Sequence, residues 1–316
     1  MVFVESGYIT LGLLGLWFGS DIVVDNARTI AKSLGVSELL IGLSITSIGT
    51  SLPEISTNIS AGFSTAAGVD ASGIAVGNII GSELSQITII LGIAGFMATL
   101  STTRRSLRRD GFMMLSALLL MYLVCFDGFV SRGEGAFLVI IYLTYLAFLF
   151  FDEGIVSKLS SHEGLGRNFL YKIILLFVGV VIIIYSADVI VEKGVLLADK
   201  LSITESLIGL FIGFGTSIPE LSVTVKAVTK KANSLSLGNL MGSNITDPLL
   251  SFGLGAVVGG FTVSQSVLAY DFVYWGVATV IALLLLFNHL NLNRKESSVL
   301  IVLYLFFMYS RIVFFP

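Results

Sequence analysis

Long apolar stretches occupy most of this 316-residue chain and leave little polar sequence between them. Hydrophobic residues make up 55% of the chain and charged residues only 12%. A soluble domain rarely has such a composition, whereas a helix of about 20 apolar residues can cross a bilayer with its own backbone satisfied. The sequence therefore predicts an all-α membrane protein with ten transmembrane helices, at 7–31, 37–65, 71–99, 110–127, 134–151, 170–198, 203–226, 234–260, 267–288 and 297–315.

Composition also excludes several classes of function. The net charge of −3 gives no indication of nucleic-acid binding. The single cysteine, Cys125, rules out an internal disulfide and a cysteine metal cluster. An intramembrane enzyme would need a nucleophile or an acid dyad, and the sequence offers neither a histidine partner nor a Gly-x-Gly-Asp signature. We therefore expect no enzymatic activity, no cofactor and no obligate protein partner, with the lipid bilayer as the surroundings.

One hexapeptide occurs twice inside apolar stretches. Gly-Thr-Ser-Leu-Pro-Glu at 49–54 returns as Gly-Thr-Ser-Ile-Pro-Glu at 215–220. A proline releases carbonyl groups from the helix ladder, and a glutamate inside the membrane indicates a functional site. Thr50 and Glu54 share one helix face, as do Thr216 and Glu220, because they are four residues apart. One copy could be an ordinary kinked helix, but two facing copies could supply the roughly 6 to 8 oxygens that Ca²⁺ takes.

A second motif follows each hexapeptide. Gly-Asn-Ile-Ile-Gly-Ser at 77–82 matches Gly-Asn-Leu-Met-Gly-Ser at 238–243. Its glycines would allow two helix backbones to pack closely. Ser82 and Gln86 are four residues apart, and Ser243 and Asp247 repeat that spacing, so each half adds a hydroxyl and an amide or acid. Ordinary glycine-mediated packing is the alternative interpretation.

The two halves are related as an inverted repeat. Five apolar stretches separate corresponding positions, and because five is odd the second half must enter the membrane from the opposite side. We predict one five-helix unit over 1–157 and a second, inverted unit over 158–316. If the chain starts outside, 14 of the 18 Lys and Arg residues fall on the inner side. The positive-inside rule then predicts a multi-pass protein of the cell membrane with both termini outside.

The two motif pairs resemble the two alpha-repeats of the cation/calcium antiporter superfamily, and most closely those of prokaryotic sodium/calcium exchangers. The resemblance covers nearly the whole chain and implies ten helices in two inverted repeats, with broken helices at the midplane. It also implies antiport of Ca²⁺ against Na⁺ by alternating access, with both ions as transported ligands. By this resemblance, Ca²⁺ would be held by Glu54, Glu220, Thr50 and Thr216. Sodium sites would draw on Ser47, Ser51, Ser82, the Gly213 carbonyl, Ser217 and Ser243, and Asp247 matches an acidic position of the family.

The sequence departs from that family pattern at three places. Gln86 stands where the prokaryotic exchangers usually have asparagine, and Glu83 is an additional acid that could border the ion site. The interval from Gly42 to Thr50 is also one residue longer than that from Gly209 to Thr216. These departures leave the counter-ion open, so proton-coupled Ca²⁺ exchange, with Glu83 or a paired acid carrying the proton, is the alternative. A passive cation channel is less favoured, because twin acidic sites that occlude an ion do not make an open pore.

Overall fold

The computed structural model describes residues 2–152, 167–200 and 214–314, and these are mostly helical. The first range contains α1 (Val2–Leu34), α2 (Glu38–Ile41), α3 (Ser47–Thr50), α4 (Leu52–Ala66), α5 (Ser72–Ser85), α6 (Leu91–Met97), α7 (Arg104–Cys125) and α8 (Arg132–Asp152). The other two ranges contain α9 (Arg167–Lys200), α10 (Ile218–Thr229), α11 (Asn233–Thr246), α12 (Phe252–Gly259), α13 (Phe272–His289) and α14 (Arg294–Phe314). Four π-helical segments continue into the following helix, namely π1 (Gly42–Thr46), π2 (Gln86–Ile90), π3 (Asp247–Ser251) and π4 (Val267–Asp271).

The helices coincide with the predicted apolar stretches to within a few residues. The stretch at 203–226 is described only from residue 214 onward. By length and apolarity alone, the described helices that could cross a membrane are Ser72–Met97, Arg132–Asp152, Phe169–Ser186 and Val267–His289, with the bent pair Glu38–Thr50 and Leu52–Ala66 as a fifth. Polar residues disqualify others, such as α11, yet α11 is buried from Leu235 to Thr246. Such a helix avoids lipid because other helices surround it.

Two short antiparallel strand pairs join loops that are far apart in the sequence. Strand β1 (Leu100–Ser101) pairs with β4 (Asn291–Leu292), with Leu100 opposite Leu292. Strand β2 (Phe129–Val130) pairs with β3 (Phe261–Thr262), with Val130 opposite Phe261. Each pair therefore fixes two helix connections at one end of the bundle.

The apolar core has two parts. The larger part joins α5 to α8 with α11 to α14. The smaller part joins α1, α9 and α10. Helices α1 and α9 cross closely at Gly19 and Gly179, where a Cβ atom on either residue would lie 3.0 Å from the carbonyl oxygen of the other. Helices α1 and α9 thus form a closely packed pair beside the main bundle.

Candidate cation-binding site

Both copies of the hexapeptide lie where a helix breaks. Ser51, with φ −79° and ψ 4°, separates α3 from α4, and the two flanking helical segments meet at 46°. Ser217, with φ −89° and ψ 7°, stands directly before α10. The proline of each motif falls in the first turn of the new helix, where its missing N–H is not needed. Glu54 and Glu220 fall in the same first turns, where the helix dipole favours negative charge.

Glycines let the first hexapeptide approach the second Gly-Asn motif. A Cβ atom on Gly42 would lie 2.8 Å from the Asn239 backbone nitrogen, and one on Gly242 would lie 2.6 Å from Ser47 Oγ. The segment from α2 to α3 can therefore cross α11 only because these positions lack side chains. For Gly77, the first glycine of the corresponding motif in the first half, a Cβ atom would meet no described atom within 4 Å. The close approach predicted for the motif is thus present in the described part of the second copy.

The two motif glutamates are fully buried but have different neighbours. Ser51 Oγ lies 3.4 Å from Glu220 Oε1, and Ser243 Oγ lies 3.5 Å from the same oxygen. Glu54 lies close enough to Glu220 and Asp247 for their negative charges to repel one another. Neither carboxylate oxygen of Glu54 makes a hydrogen bond of standard geometry with a described residue, although the Thr216 side chain of the second hexapeptide lies near it. Burying such a group is strongly unfavourable unless another partner is supplied.

Hydroxyl groups surround the break in the first half. Thr50 Oγ1 lies 3.2 Å from the Ser47 carbonyl oxygen and 3.3 Å from Asn239 Oδ1. Ser47 Oγ donates to the Ser44 carbonyl oxygen at 3.1 Å. Because a hydroxyl that donates its proton keeps two lone pairs, Thr50 and Ser47 can still offer oxygen to a cation.

The hydroxyls of α5 and of the second break continue this polar layer. Ser82 Oγ donates to the Ile79 carbonyl oxygen at 2.9 Å. Ser85 Oγ donates to Ser217 Oγ at 3.2 Å, which joins α5 to the break before α10. Thr216 is half-buried beside Ser217. The predicted hydroxyl residues of the two halves therefore lie in one region.

Gln86 and Asp247 face each other across the two halves. They are the first residues of π2 and π3, and π-helical segments often occur at functional sites. Gln86 Nε2 donates to Asp247 Oδ2 at 3.0 Å, while Asn244 Nδ2 donates to Gln86 Oε1 at 2.9 Å. Gln86 therefore holds Asp247 in place, and Asp247 Oδ1 stays without a hydrogen-bond partner among the described residues.

Glu83 is a further buried acid on the Asp247 side of this region. It is 1% exposed and lies near Trp275 of α13 as well as near Asp247. Neither of its carboxylate oxygens makes a hydrogen bond of standard geometry with a described residue. Glu83 thus lies near both Asp247 and the neighbouring helix α13.

Several polar residues near the site were not predicted from the sequence. Asn58 Nδ2 donates to the Glu54 carbonyl oxygen at 2.9 Å and lies 3.0 Å from Ser251 Oγ. Asn78 Nδ2 reaches the same Glu54 carbonyl at 3.5 Å. Asn58 could have been found because it lies four residues after Glu54 on the same helix face. Gly213, predicted to offer its carbonyl, lies outside the described residues, as does Gly209.

The donor set is mixed in kind. Within residues 2–152, 167–200 and 214–314, no three Asp, Glu, His or Cys side chains gather closely enough to hold a metal ion. Carboxylates in the polar region are instead combined with hydroxyl and amide oxygens. Such hard, mostly neutral oxygen donors suit Na⁺ and Ca²⁺ better than transition metals.

Buried acids at paired helix breaks, inside a bundle with membrane-length apolar helices, are typical of membrane transporters of cations. The sequence model of the family described as "Sodium/calcium exchanger protein" matches residues 5–151 and 171–313. The chain belongs to this family, which confirms the resemblance and places the chain among exchangers rather than enzymes.

Similar proteins align along most of the chain. The sodium/calcium exchanger MaX1 of Methanosarcina acetivorans is 32% identical over 98% of this chain and 98% of its own length. The inner membrane protein YrbG of Escherichia coli is 28% identical over 80% of this chain and 79% of its own. A solved structure of the sodium-calcium exchanger NCX_Mj, soaked with Na⁺ and Sr²⁺, has a TM-score of 0.84 and 27% identity and covers 98% of this chain and 99% of that chain.

Proposed function

We propose that this protein is an antiporter that exchanges Ca²⁺ for Na⁺ across the membrane by alternating access. The observation that carries the proposal is the buried carboxylate of Glu54, which makes no hydrogen bond of standard geometry with a described residue and lies near Glu220 and Thr216 of the other half. A positive ion between the two carboxylates would remove the unfavourable charge. MaX1 and NCX_Mj are described as sodium/calcium exchangers, which supports the same ions.

The ligands of Ca²⁺ in this proposal are the carboxylates of Glu54 and Glu220 with the hydroxyls of Thr50 and Thr216. Ca²⁺ prefers several oxygens, including carboxylates, at about 2.3 to 2.6 Å. Sodium ions would be bound by the Asp247 carboxylate and by neutral oxygens around it. The neutral oxygens are those of Ser47, Ser51, Ser82, Gly213, Ser217 and Ser243. Gln86 would act on the ions through Asp247, to which it donates a hydrogen bond.

Coupling follows from the charge of the empty site. Glu54, Glu220 and Asp247 repel one another when no cation is present. A closed, water-free state of the empty site is therefore costly, whereas Ca²⁺ or several Na⁺ ions would make it accessible. Exchange without leak results, because only a loaded site passes between the two sides.

Two inverted five-helix units, 1–157 and 158–316, would supply two nearly equivalent states. The strand pairs support this arrangement, because they join 100–101 to 291–292 and 129–130 to 261–262, loops that the predicted ten-helix topology puts on the same side. The closely packed pair of α1 and α9 has its own apolar cluster with α10 and is the element we expect to move against the bundle. Both termini would lie outside the cell membrane.

Proton-coupled Ca²⁺ exchange is the second candidate, and Glu83 is the observation that favours it. Its side chain is buried near Asp247 and Trp275 and makes no hydrogen bond of standard geometry with a described residue. A carboxyl group in such surroundings can carry a proton in place of a cation. We prefer Na⁺ as the counter-ion because the family and the solved relative are described as sodium/calcium exchangers.

The proposal is tested by uptake of radioactive Ca²⁺ into proteoliposomes. An outward Na⁺ gradient should drive accumulation, and an outward H⁺ gradient of matched size should not. Ca²⁺ uptake driven by the H⁺ gradient alone would show that H⁺, and not Na⁺, is the counter-ion. Equal Ca²⁺ entry without either gradient would contradict exchange and indicate a channel.

A further inference from the structure

Helices α7 and α8 leave a groove between them on the lipid-facing side. Helix α7 packs mainly on α13, and α8 packs mainly on α12, so these two neighbours make little contact with each other. The groove has a volume of about 430 Å³, and its walls include Phe112 and Met113 of α7 and Ile141 and Phe148 of α8. Phe112 is 72% exposed and Phe148 is 52% exposed. The groove therefore has mainly apolar walls and opens toward the bilayer.

Four arginines lie in the first two turns of α7, and the last of them in sequence, Arg109, lines the groove. They are Arg104, Arg105, Arg108 and Arg109. Cations are unfavourable at a helix N-terminus, because the free N–H groups there already carry partial positive charge. This end of α7 thus has a strong need for negative charge.

Two acids meet only part of that need. Asp152 lies 2.5 Å from Arg105 Nη2 and 2.8 Å from Arg109 Nη1, and Asp110 lies 2.7 Å from Arg109 Nε. Arg104 and Arg108 make no ion pair with any described residue. Two arginines are consequently available for an anion at the surface.

The junction between the arginines and the groove is held rigidly. Tyr145 of α8 donates a hydrogen bond to Asp110 Oδ1 at 3.0 Å, and Asp110 in turn holds Arg109. The Arg109 side chain is only 11% exposed and lines the groove. These contacts fix the polar end of the groove relative to its apolar walls, so the site is formed before any ligand arrives.

We propose that this groove binds one anionic phospholipid. Its phosphate lies against Arg104, Arg105 and Arg108, and one acyl chain lies between α7 and α8. From Phe148 to Ile141 the apolar wall extends about 10 Å along α8, at 1.5 Å per residue. If the arginines served only to set the membrane orientation of the chain, no groove beside them would be required. In the orientation proposed above, the site faces the cytoplasmic leaflet, which carries anionic lipid.

Native mass spectrometry of the purified protein tests the headgroup contact. The protein is titrated with phosphatidylglycerol or phosphatidylcholine. The double variant Arg104→Gln/Arg108→Gln should bind phosphatidylglycerol about 30-fold more weakly, because two favourable charges are lost. The control Lys231→Gln/Lys295→Gln removes two exposed lysines elsewhere and should keep the wild-type preference. An unchanged preference in the arginine variant, or an equal loss in the control, would overturn the proposal.

A second variant tests the acyl-chain contact with the arginines intact. Thr144 is exposed and lines the groove, so Thr144→Trp should fill the groove and exclude the lipid while the protein unfolds at the same temperature as the wild type. Excess inorganic phosphate should fail to displace phosphatidylglycerol from the wild type. Retained lipid binding in Thr144→Trp, or displacement by phosphate, would mean a free-anion site and contradict the groove. Neither assay depends on transport, so its outcome is separate from that of the exchange proposal.

Discussion

Glu54 and Glu220 occupy matched positions in the two halves, but the described structure surrounds them differently. One carboxylate oxygen of Glu220 accepts hydrogen bonds from Ser51 and Ser243, whereas neither oxygen of Glu54 accepts one of standard geometry from a described residue. A carboxylate that accepts hydrogen bonds keeps part of its solvation, and one that does not depends on a counter-charge. In the proposed site, Glu54 is therefore the residue with the greater need for the transported ion.

Gln86 is expected to tune the site through Asp247. Its side chain bridges Asp247 and Asn244, and a shorter asparagine at this position would reach both less readily. The variant Gln86→Leu leaves Asp247 without its amide donor in a buried place, so we expect stability to fall by about 1 to 3 kcal/mol. Thermal unfolding in detergent measures this loss. The control is Ser298→Ala on the exposed surface of α14, which should have little effect.

At the scale of elements, the crossing of α3 and α11 depends on glycine. A methyl group at Gly242 would stand 2.6 Å from Ser47 Oγ and 2.8 Å from the Leu43 Cα atom. Gly242→Ala should therefore destabilise the fold by about 1 to 3 kcal/mol, since the backbone must move apart. Gly276→Ala on α13 is a matched control, because its new methyl group would meet Leu118 at 3.9 Å. Equal unfolding temperatures for the two variants would contradict this crossing.

An ionic cluster ties α1 to α10 and to the residues just after it. Asp21 lies 2.9 Å from Lys226 Nζ and 2.6 Å from Lys230 Nζ, and Lys226 also lies over the Trp17 ring at 3.5 Å. Burial lowers the pKa of Lys230, but its hydrogen bonds with Asp21 and Asp25 outweigh burial and raise it. A lysine pKa raised on folding stabilises the protein below the unfolded pKa of about 10.4 and loses this effect above it. Lys230 therefore contributes to stability as a cation at neutral pH.

Removing Asp21 should loosen the contact between α1 and the bundle. Asp21→Asn leaves the nearly buried Lys226 without a carboxylate, and we expect a loss of about 1.5 to 3 kcal/mol in unfolding free energy. Asp25→Asn should cost less, because Asp25 is more exposed and forms an ion pair only with Lys230 among the described residues. Chemical unfolding at pH 7 would measure both variants. A larger loss for Asp25→Asn would contradict this ranking.

Sequence patterns predicted the helices and their breaks but not their relative positions. The apolar stretches and the repeated prolines located α4 and α10, because these signals are local. The contact of Gly42 with α11 and the bridge from Gln86 to Asn244 depend on which helices cross, and no local pattern encodes that. The π-helical turns at Gln86 and Asp247 have no known sequence signature. The ion pair of Asp21 with Lys226 could not be predicted either, because 205 positions separate the two residues in the sequence.

At the scale of the whole molecule, the strand pairs and the polar contacts between loops agree on which connections lie together. Asn233 Nδ2 donates to the Thr99 carbonyl oxygen, and Arg294 Nε donates to that of Phe96. The Thr262 backbone nitrogen donates to Ser72 Oγ at the other end. These contacts are compatible with two units that cross the membrane in opposite directions, as the proposed inverted repeat requires.

The proposed orientation predicts which loops face outward. In a Cys125→Ser background, which removes the only native thiol, a cysteine at Asp127 should react with an impermeant maleimide added outside intact cells. A cysteine at Lys295 should react only after the membrane is opened. If only the cysteine at 295 reacts in intact cells, the orientation is the opposite of the one proposed. Equal reaction of both positions in intact cells would contradict the proposed topology.

The central claim is that one cation site lies between the two helix breaks, and Ca²⁺ binding to purified protein tests it most directly. Equilibrium binding of radioactive Ca²⁺ should be saturable, and Na⁺ should compete with it. Glu54→Gln and Glu220→Gln should each weaken Ca²⁺ binding by more than about 100-fold. Loss of a residue that only supports a metal ligand can weaken binding by up to about 100-fold, and each of these variants removes a charged ligand itself. Unfolding temperatures should be maintained or raised, since repulsion is relieved. Wild-type Ca²⁺ affinity in either variant would contradict the site.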